Sequence, residues 1–147
     1  MNTIQKLLRA YYHASHWPEY LAPLLDFILR LFLANVFFKS GFTKIQSWDS
    51  TLYLFSEVYH VPLLSSEVAA YLATGAELGL SVLMLLGLFG RFAASGLFIL
   101  NGVAVISYAD LSEAGRYQHL CWGLLLAVLL IASRWKWSLD AWLEKRI

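Results

Sequence analysis

The residue of greatest chemical interest in this sequence is one glutamate, Glu77, inside a long apolar run. It is the only charged side chain between Val68 and Phe89, a stretch about as long as the ~20 residues that a helix needs to cross a bilayer. A carboxylate at that depth costs roughly a few kcal/mol unless it is protonated or paired. We therefore expect Glu77 to have a polar partner and to belong to a ligand, proton or partner site.

The partner that the sequence predicts for Glu77 is Arg30, which lies inside another apolar run. At about 100° per residue, one face of the Arg30 helix also carries four further residues. These are Asp26, Phe37, Gly41 and Lys44. Asp26 is the competing partner because it lies one helical turn from Arg30. A purely structural interpretation also stays open, in which a buried arginine–glutamate pair only fixes helix register.

Other polar residues extend this predicted site. Thr74, Glu77 and Ser81 form a stripe along one helix, and Asn101 lies near the middle of the next apolar run. The predicted intramembrane polar cluster is Asp26, Arg30, Glu77, Ser81 and Asn101. On the far side of the Glu77 helix, Gly75 and Gly79 form a small-xxx-small pair that favours close helix packing.

Metal and catalytic motifs are weak in this chain. His119 and Cys121 are soft-metal ligand types, but residues two apart point in different directions on a helix. His13 and His16 have helical spacing but fall on a polar, solvated face. No phosphate-binding glycine loop, nucleophile elbow or HExxH motif is present. The sequence therefore predicts no metal site, no catalytic residue and a protein that is not catalytic by itself.

Composition places the chain in a membrane. Hydrophobic residues make up 59% and charged residues 14% of its 147 positions, whereas soluble domains have roughly 45–50% and about 25%. We expect one membrane domain over residues 1–147. The net charge of +1 argues against a nucleic-acid partner, and a single cysteine excludes an intramolecular disulfide.

The apolar pattern predicts an all-α fold with four transmembrane helices. Their expected ranges are about 22–42, 67–89, 92–109 and 117–133, and the last is short enough that an extension to Trp135 and Trp137 is the alternative. Residues 1–21 should form an amphipathic helix in the membrane interface. The outer loop should hold a short helix near 47–59, and should lie on the membrane surface or fold over the mouth of the bundle.

Orientation follows from lysine and arginine residues outside the spans. One side collects Lys6, Arg9, Arg91, Arg134, Lys136, Lys145 and Arg146. The other side holds Lys44 and Arg116, with Lys39 near its edge. Both termini are therefore predicted to be cytoplasmic.

Several segments together resemble the DoxX family of small bacterial four-helix membrane proteins. The stretch RLFLANVFFKSGFTKI is similar to the family's first helix and supplies Arg30, Gly41 and Lys44. The stretch AELGLSVLMLLGLFGRFAA is similar to its second helix and supplies Glu77 and Arg91. The chain ends near WSLD, like the family, although a glycine-rich stretch usually precedes that motif. The loop SWDSTLYLFSEVYHVPLL resembles a subgroup found beside copper-responsive modified-peptide systems.

The resemblance implies only a general function. Some members of the family are membrane subunits of redox assemblies. We therefore expect a non-catalytic component of an envelope stress, metal or redox-related system in the bacterial cytoplasmic membrane, with lipid and other membrane proteins as partners. The alternatives are a small-molecule or ion-handling protein and a quinone-linked oxidoreductase subunit, and quinone is the one cofactor that the resemblance allows. A ligand-handling protein should show a cavity around Glu77, whereas a scaffold should be packed there.

Overall fold

The computed structural model describes residues 3–133 and 135–146, and every element in these ranges is helical. In chain order the elements are α1 (Thr3–Ser15), a short 3-10 helix (Trp17–Tyr20), α2 (Ala22–Gln46), α3 (Trp48–Glu57), α4 (Ser66–Leu86), α5 (Gly90–Ser107), α6 (Glu113–Ile131) and α7 (Leu139–Glu144). The predicted all-α class is confirmed for this part of the chain. Arg134, which the predicted topology counts among the cytoplasmic residues, lies outside the described residues.

The four long helices form a closed bundle. α2 packs against α4, α4 against α5, α5 against α6, and α6 returns to α2. Three of the described helices, α4, α5 and α6, are long and apolar enough to cross a membrane. α2 is the longest helix, with 25 residues, but its charged side chains keep it out of that group. These are Asp26, Arg30, Lys39 and Lys44.

Helix ends differ from the predicted ranges in two places that matter. α2 continues to Gln46, beyond the expected end at residue 42, and therefore includes Lys44 in its last turn. α6 begins at Glu113, where the Ser112 hydroxyl accepts a hydrogen bond from the Gly115 amide, and it ends at Ile131. The suggested extension of this helix to Trp135 is wrong, because Trp135 has a left-handed backbone with φ of 48°.

The end of the bundle that holds Lys44 is covered by α3 and the loop that follows it. α3 packs against α2 and α4, and buried Phe55 joins it to Ala69 and Ala70. After α3, Tyr59 forms an isolated antiparallel bridge with Tyr108. The His60 amide donates to the Ser107 carbonyl at 2.9 Å. These contacts fasten the loop to the end of α5, so it folds over the mouth of the bundle.

α2 and α4 approach each other closely at Gly41. A Cβ atom at this position would lie 2.9 Å from the Cβ atom of Glu77 and 2.9 Å from Cγ of Leu78. Any side chain here would push the two helices apart, so the glycine sets their separation beside Glu77. Gly75 and Gly79, in contrast, have no atom within 4 Å of an added Cβ. The prediction that this pair supports close packing is wrong for the described contacts of this chain.

Substitution of Gly41 by leucine is expected to lower the free energy of unfolding by about 1–3 kcal/mol, the usual cost of overpacking. The matched change at Gly75 adds the same side chain on a face with open space and should not destabilise the bundle. Unfolding in mixed detergent micelles compares the two variants. Equal stabilities would show that α2 and α4 do not meet at Gly41.

Candidate functional site

A cavity of about 290 Å³ lies in the half of the bundle beneath α3 and its loop. Its aromatic lining is Phe37, Phe55, Tyr59, Tyr108 and Trp122, and its polar lining is Ser40, Lys44, Glu77, Asn101, Ser107 and His119. An apolar cavity of about 150 Å³ is enough to hold benzene. The space is therefore large enough for a substituted ring molecule.

Glu77 and Lys44 form an ion pair on one wall of this cavity. The Lys44 ammonium donates to both carboxylate oxygens of Glu77 at 2.7 Å. The Ser40 hydroxyl accepts from Lys44 at 2.9 Å and donates to Glu77 Oε1 at 3.2 Å. The side chains of Lys44 and Glu77 are 19% and 11% exposed. The two charges are thus neutralised inside the site, and Ser40 completes a closed three-residue network.

The predicted pairing of Arg30 with Glu77 is wrong. Gly41 touches Glu77, and it lies eleven residues after Arg30, which is about 16 Å along an α-helix. Even a long arginine side chain does not bridge that distance. Lys44 lies one turn beyond Gly41 on the same face of α2 and therefore reaches the carboxylate.

Arg30 instead joins α2 to the segment before α7. It is 1% exposed, and one of its terminal N–H groups donates to the Trp137 carbonyl. Its guanidinium carbon lies 5.2 Å from the centre of the Trp135 ring and 5.5 Å from that of Phe27. Asp26, one turn away, interacts with it electrostatically. Asp26 and Arg30 are therefore at the opposite end of the bundle from the cavity.

The WSLD motif builds the rest of that end. The Asp140 carboxylate accepts from the amides of Phe89 and Gly90 at 3.0 and 2.9 Å, which caps the start of α5. The Ser138 hydroxyl accepts from the Ala141 amide at 3.1 Å and caps α7, as its position in the sequence predicts. Arg91 is exposed beside this junction. The motif thus connects the α4–α5 turn to the C-terminal segment.

Asn101 and His119 form a second polar pair on the opposite wall of the cavity. The Asn101 amide nitrogen donates to the His119 carbonyl at 2.9 Å, and Asn101 Oδ1 lies 2.8 Å from His119 Nδ1. The His119 ring packs edge-on to Trp122 at 5.0 Å. Cys121 is exposed and does not join this pair. Among the described residues, no group of three or more histidine, cysteine or acidic side chains is arranged to hold a metal ion.

Tyr59 and Ser107 are two further polar residues of the cavity lining. Burial raises the pKa of Tyr59, and the nearby Tyr108 and Glu77 raise it further, so its phenol stays neutral. Ser107 lines the cavity with a buried hydroxyl that has no hydrogen-bond partner among the described residues. Ser81 is also buried, and its hydroxyl has no partner in the described part of the chain, but it does not line the cavity.

The structure therefore divides the predicted cluster. Glu77 and Asn101 share the cavity, whereas Asp26 and Arg30 lie at the other end of the bundle. Sequence reasoning did not assign Ser40, Ser107 or His119 to the site, and it did not pair Lys44 with Glu77. The sequence feature that could have indicated this network is the spacing of four residues between Ser40 and Lys44. It places both side chains near Gly41 on α2.

Comparison with known proteins gives a family but no activity. The DoxX family model matches residues 25–109. An uncharacterized protein of Haemophilus influenzae is 32% identical over 127 residues, covering 80% of this chain and 82% of the relative. No solved structure matches the chain. The matched region contains α4, α5 and nearly all of α2, including Lys44, Glu77 and Asn101. With its apolar helices, the chain is an integral membrane protein that belongs to the DoxX family.

Proposed function

We propose that this protein binds a small organic molecule in the cavity between Glu77 and His119 and has no catalytic activity of its own. The observation that carries the proposal is the open space beside the Glu77–Lys44 pair. A scaffold whose charges only fix helix register would be packed at this point. Here the pair instead faces a cavity of about 290 Å³ with aromatic walls.

Energetic considerations support a role beyond packing. A buried ion pair is often no more stabilising than well-packed apolar residues of the same volume. A cavity also costs stability, because its lining loses dispersion contacts. The bundle therefore gains little stability from the ion pair and loses some to the cavity at the same place. Ligand binding is a physical reason for both of them.

We further propose that α2 is the fourth membrane-spanning helix and that α1 lies in the cytoplasmic interface. α2 supports this arrangement because it packs along α4 and turns Arg30 and Lys44 inward. α1 is amphipathic, and its apolar Ile4, Leu8 and Tyr11 are exposed. An interfacial helix would bury such a face in lipid.

Both termini are expected in the cytoplasm, because most lysine and arginine residues outside the spans lie on that side. A reporter enzyme that works only in the cytoplasm should be active when it is fused after Ile147. A reporter enzyme that works only in the periplasm should be inactive at the same position. The matched fusion within the Tyr53–Pro62 loop should give the reverse result. Periplasmic activity of the C-terminal fusion would contradict the proposed orientation.

The biological setting that we propose is a membrane component beside an envelope stress, metal or redox-related enzyme in the bacterial cytoplasmic membrane. Its support is the DoxX membership together with the loop that resembles a copper-associated subgroup. In such a setting the protein would contact other membrane proteins and present or hold the small molecule for them.

Filling the cavity tests the proposed binding directly. Ala104 lines the cavity, whereas Gly102, on the same helix, has no atom within 4 Å of an added Cβ. Wild-type protein purified from its native membrane should carry a small organic compound that solvent extraction and mass spectrometry detect. The Ala104→Phe variant should lose this compound, and the Gly102→Phe control should retain it. Identical extracts from all three proteins would contradict the proposal.

A further inference from the structure

The hydrogen bonds of Asn101 determine which nitrogen of His119 carries a proton. A backbone carbonyl only accepts hydrogen bonds, so the Asn101 group that faces the His119 carbonyl at 2.9 Å must be the amide N–H. The amide oxygen then faces His119 Nδ1 at 2.8 Å. Because that oxygen accepts, Nδ1 must donate. The neutral ring is therefore held with hydrogen on Nδ1 and a lone pair on Nε2.

The Nε2 lone pair of His119, a residue that lines the cavity, is one acceptor available to a ligand. Both oxygens of Glu77 are occupied by Lys44, and both polar atoms of the Asn101 side chain are bound to residue 119. No described side chain donates to His119 Nε2. Ser107, which also lines the cavity, has a buried hydroxyl with no hydrogen-bond partner in residues 3–133 and 135–146. A ligand hydroxyl could donate to Nε2 and accept from a wall hydroxyl such as this one.

The rest of the lining limits what kind of molecule can carry that hydroxyl. Lys44 and Glu77 neutralise each other, so a charged ligand would remain uncompensated in this low-dielectric space. Aromatic side chains surround the space, and they pack well against a flat ring. The ligand that best fits both constraints is neutral and has an aromatic ring.

We propose that His119 is the specificity residue of the cavity and that Nε2 accepts a hydrogen bond from the hydroxyl of a neutral, phenol-class ligand. Asn101 is then a positioning residue, because it acts on the ligand through the histidine. This inference rests on the proposed function, since it names the ligand class of the same cavity.

The tautomer of His119 is the first test, and it requires no ligand. The chain has four histidines, so nitrogen-15 histidine labelling gives a simple NMR spectrum, and the His119→Gln variant assigns the signal. We expect His119 in its neutral form to show a protonated Nδ1 and an unprotonated Nε2. A signal from protonated Nε2 would overturn the inference while leaving the proposed binding function intact.

The second test compares phenol with anisole, its methyl ether, which has the same ring but no donor. Binding to the wild-type protein in lipid nanodiscs should be about tenfold tighter for phenol, the effect of roughly one hydrogen bond. The comparison needs no variant, so misfolding cannot produce the difference. Equal affinities, or no binding of phenol, would overturn the proposed ligand class. The proposed binding function would still be tested separately, by the compound extracted from the native protein.

A hydroxylated ring can arrive as a free molecule or as the head of a lipid. The same assay with 4-dodecylphenol, a phenol with a lipid-like chain, separates these two sources. The cavity-filled Ala104→Phe variant measures partition into the bilayer, which is subtracted from the wild-type signal. A gain in cavity-dependent affinity over phenol would indicate a lipid-linked ring. An equal or lower affinity would indicate a free one. In either case binding must exceed that of the corresponding methyl ether, or the inference fails.

Discussion

Replacing Lys44 with methionine is expected to lower the free energy of unfolding by about 3 kcal/mol. The change removes the ammonium group that holds both Glu77 oxygens at 2.7 Å, and removal of one partner from a buried pair is strongly destabilising. Glu77 must then remain charged without this partner or take up a proton. The measurement is the unfolding free energy in mixed detergent micelles.

Two variants separate the ion pair from a general effect of charge. Lys39 lies on the exposed face of α2, so Lys39→Met should change stability by less than about 0.5 kcal/mol. The double variant Lys44→Met with Glu77→Leu should recover most of the lost stability, because an apolar pair of similar volume often replaces a buried ion pair at little cost. A double variant as unstable as the single one would contradict the pairing.

Replacing Arg30 with alanine is expected to have a similar effect on stability, about 3 kcal/mol, but to act at the other end of the molecule. The variant leaves the Trp137 carbonyl without its donor, removes cation–π contacts with Trp135 and Phe27, and opens a cavity in the core. The C-terminal segment should therefore detach before the bundle unfolds. Hydrogen exchange should accelerate at the Asp140 and Trp142 amides, and trypsin should cleave sooner after Lys136.

The controls for Arg30 test its geometry and its location. Arg30→Lys keeps the charge but loses the planar group that stacks on the rings. Hydrogen exchange of the C-terminal segment should therefore be intermediate between that of the wild type and that of Arg30→Ala. Arg91→Ala removes an exposed arginine at the same end and should leave exchange unchanged. Faster exchange near Lys44 and Glu77, with none at the C-terminal segment, would contradict the assigned role.

Hydropathy and helical periodicity were sufficient to predict much of the architecture. The stripe of Thr74, Glu77 and Ser81 is buried along α4, as its spacing predicts. Likewise, the shared face of Arg30, Phe37 and Gly41 on α2 is buried. These results follow from local spacing alone. The short helix of the outer loop was also predicted, and its observed range is Trp48–Glu57.

Pairing between helices could not be predicted in the same way. Glu77 pairs with Lys44 rather than Arg30 because the height of α4 relative to α2 is set by their approach at Gly41. Spacing within one helix carries no information about that offset. The expected span also ended at residue 42, so Lys44 was counted among the residues outside the membrane, although its place on the Arg30 face of the helix was predicted.

The polar pair of Asn101 and His119 shows the same limit of sequence reasoning. The two residues are eighteen positions apart on α5 and α6, and each alone is unremarkable in an apolar helix. Their contact depends on how the loop between Ser107 and Glu113 reverses the chain. The cavity itself depends on how α3 packs and on the Tyr59–Tyr108 bridge. A hydropathy pattern does not predict such long-range contacts.

A crystal structure of the wild-type protein purified from its native membrane and grown in lipidic mesophase is the most direct test of the central claim. We predict non-protein density in the cavity, between the Glu77–Lys44 pair on one wall and His119 on the other. The density should be flat, and the part of it inside the cavity should have the size of a substituted ring. A bundle whose side chains fill this space, with Glu77 and Lys44 packed and no room beside them, would contradict the account.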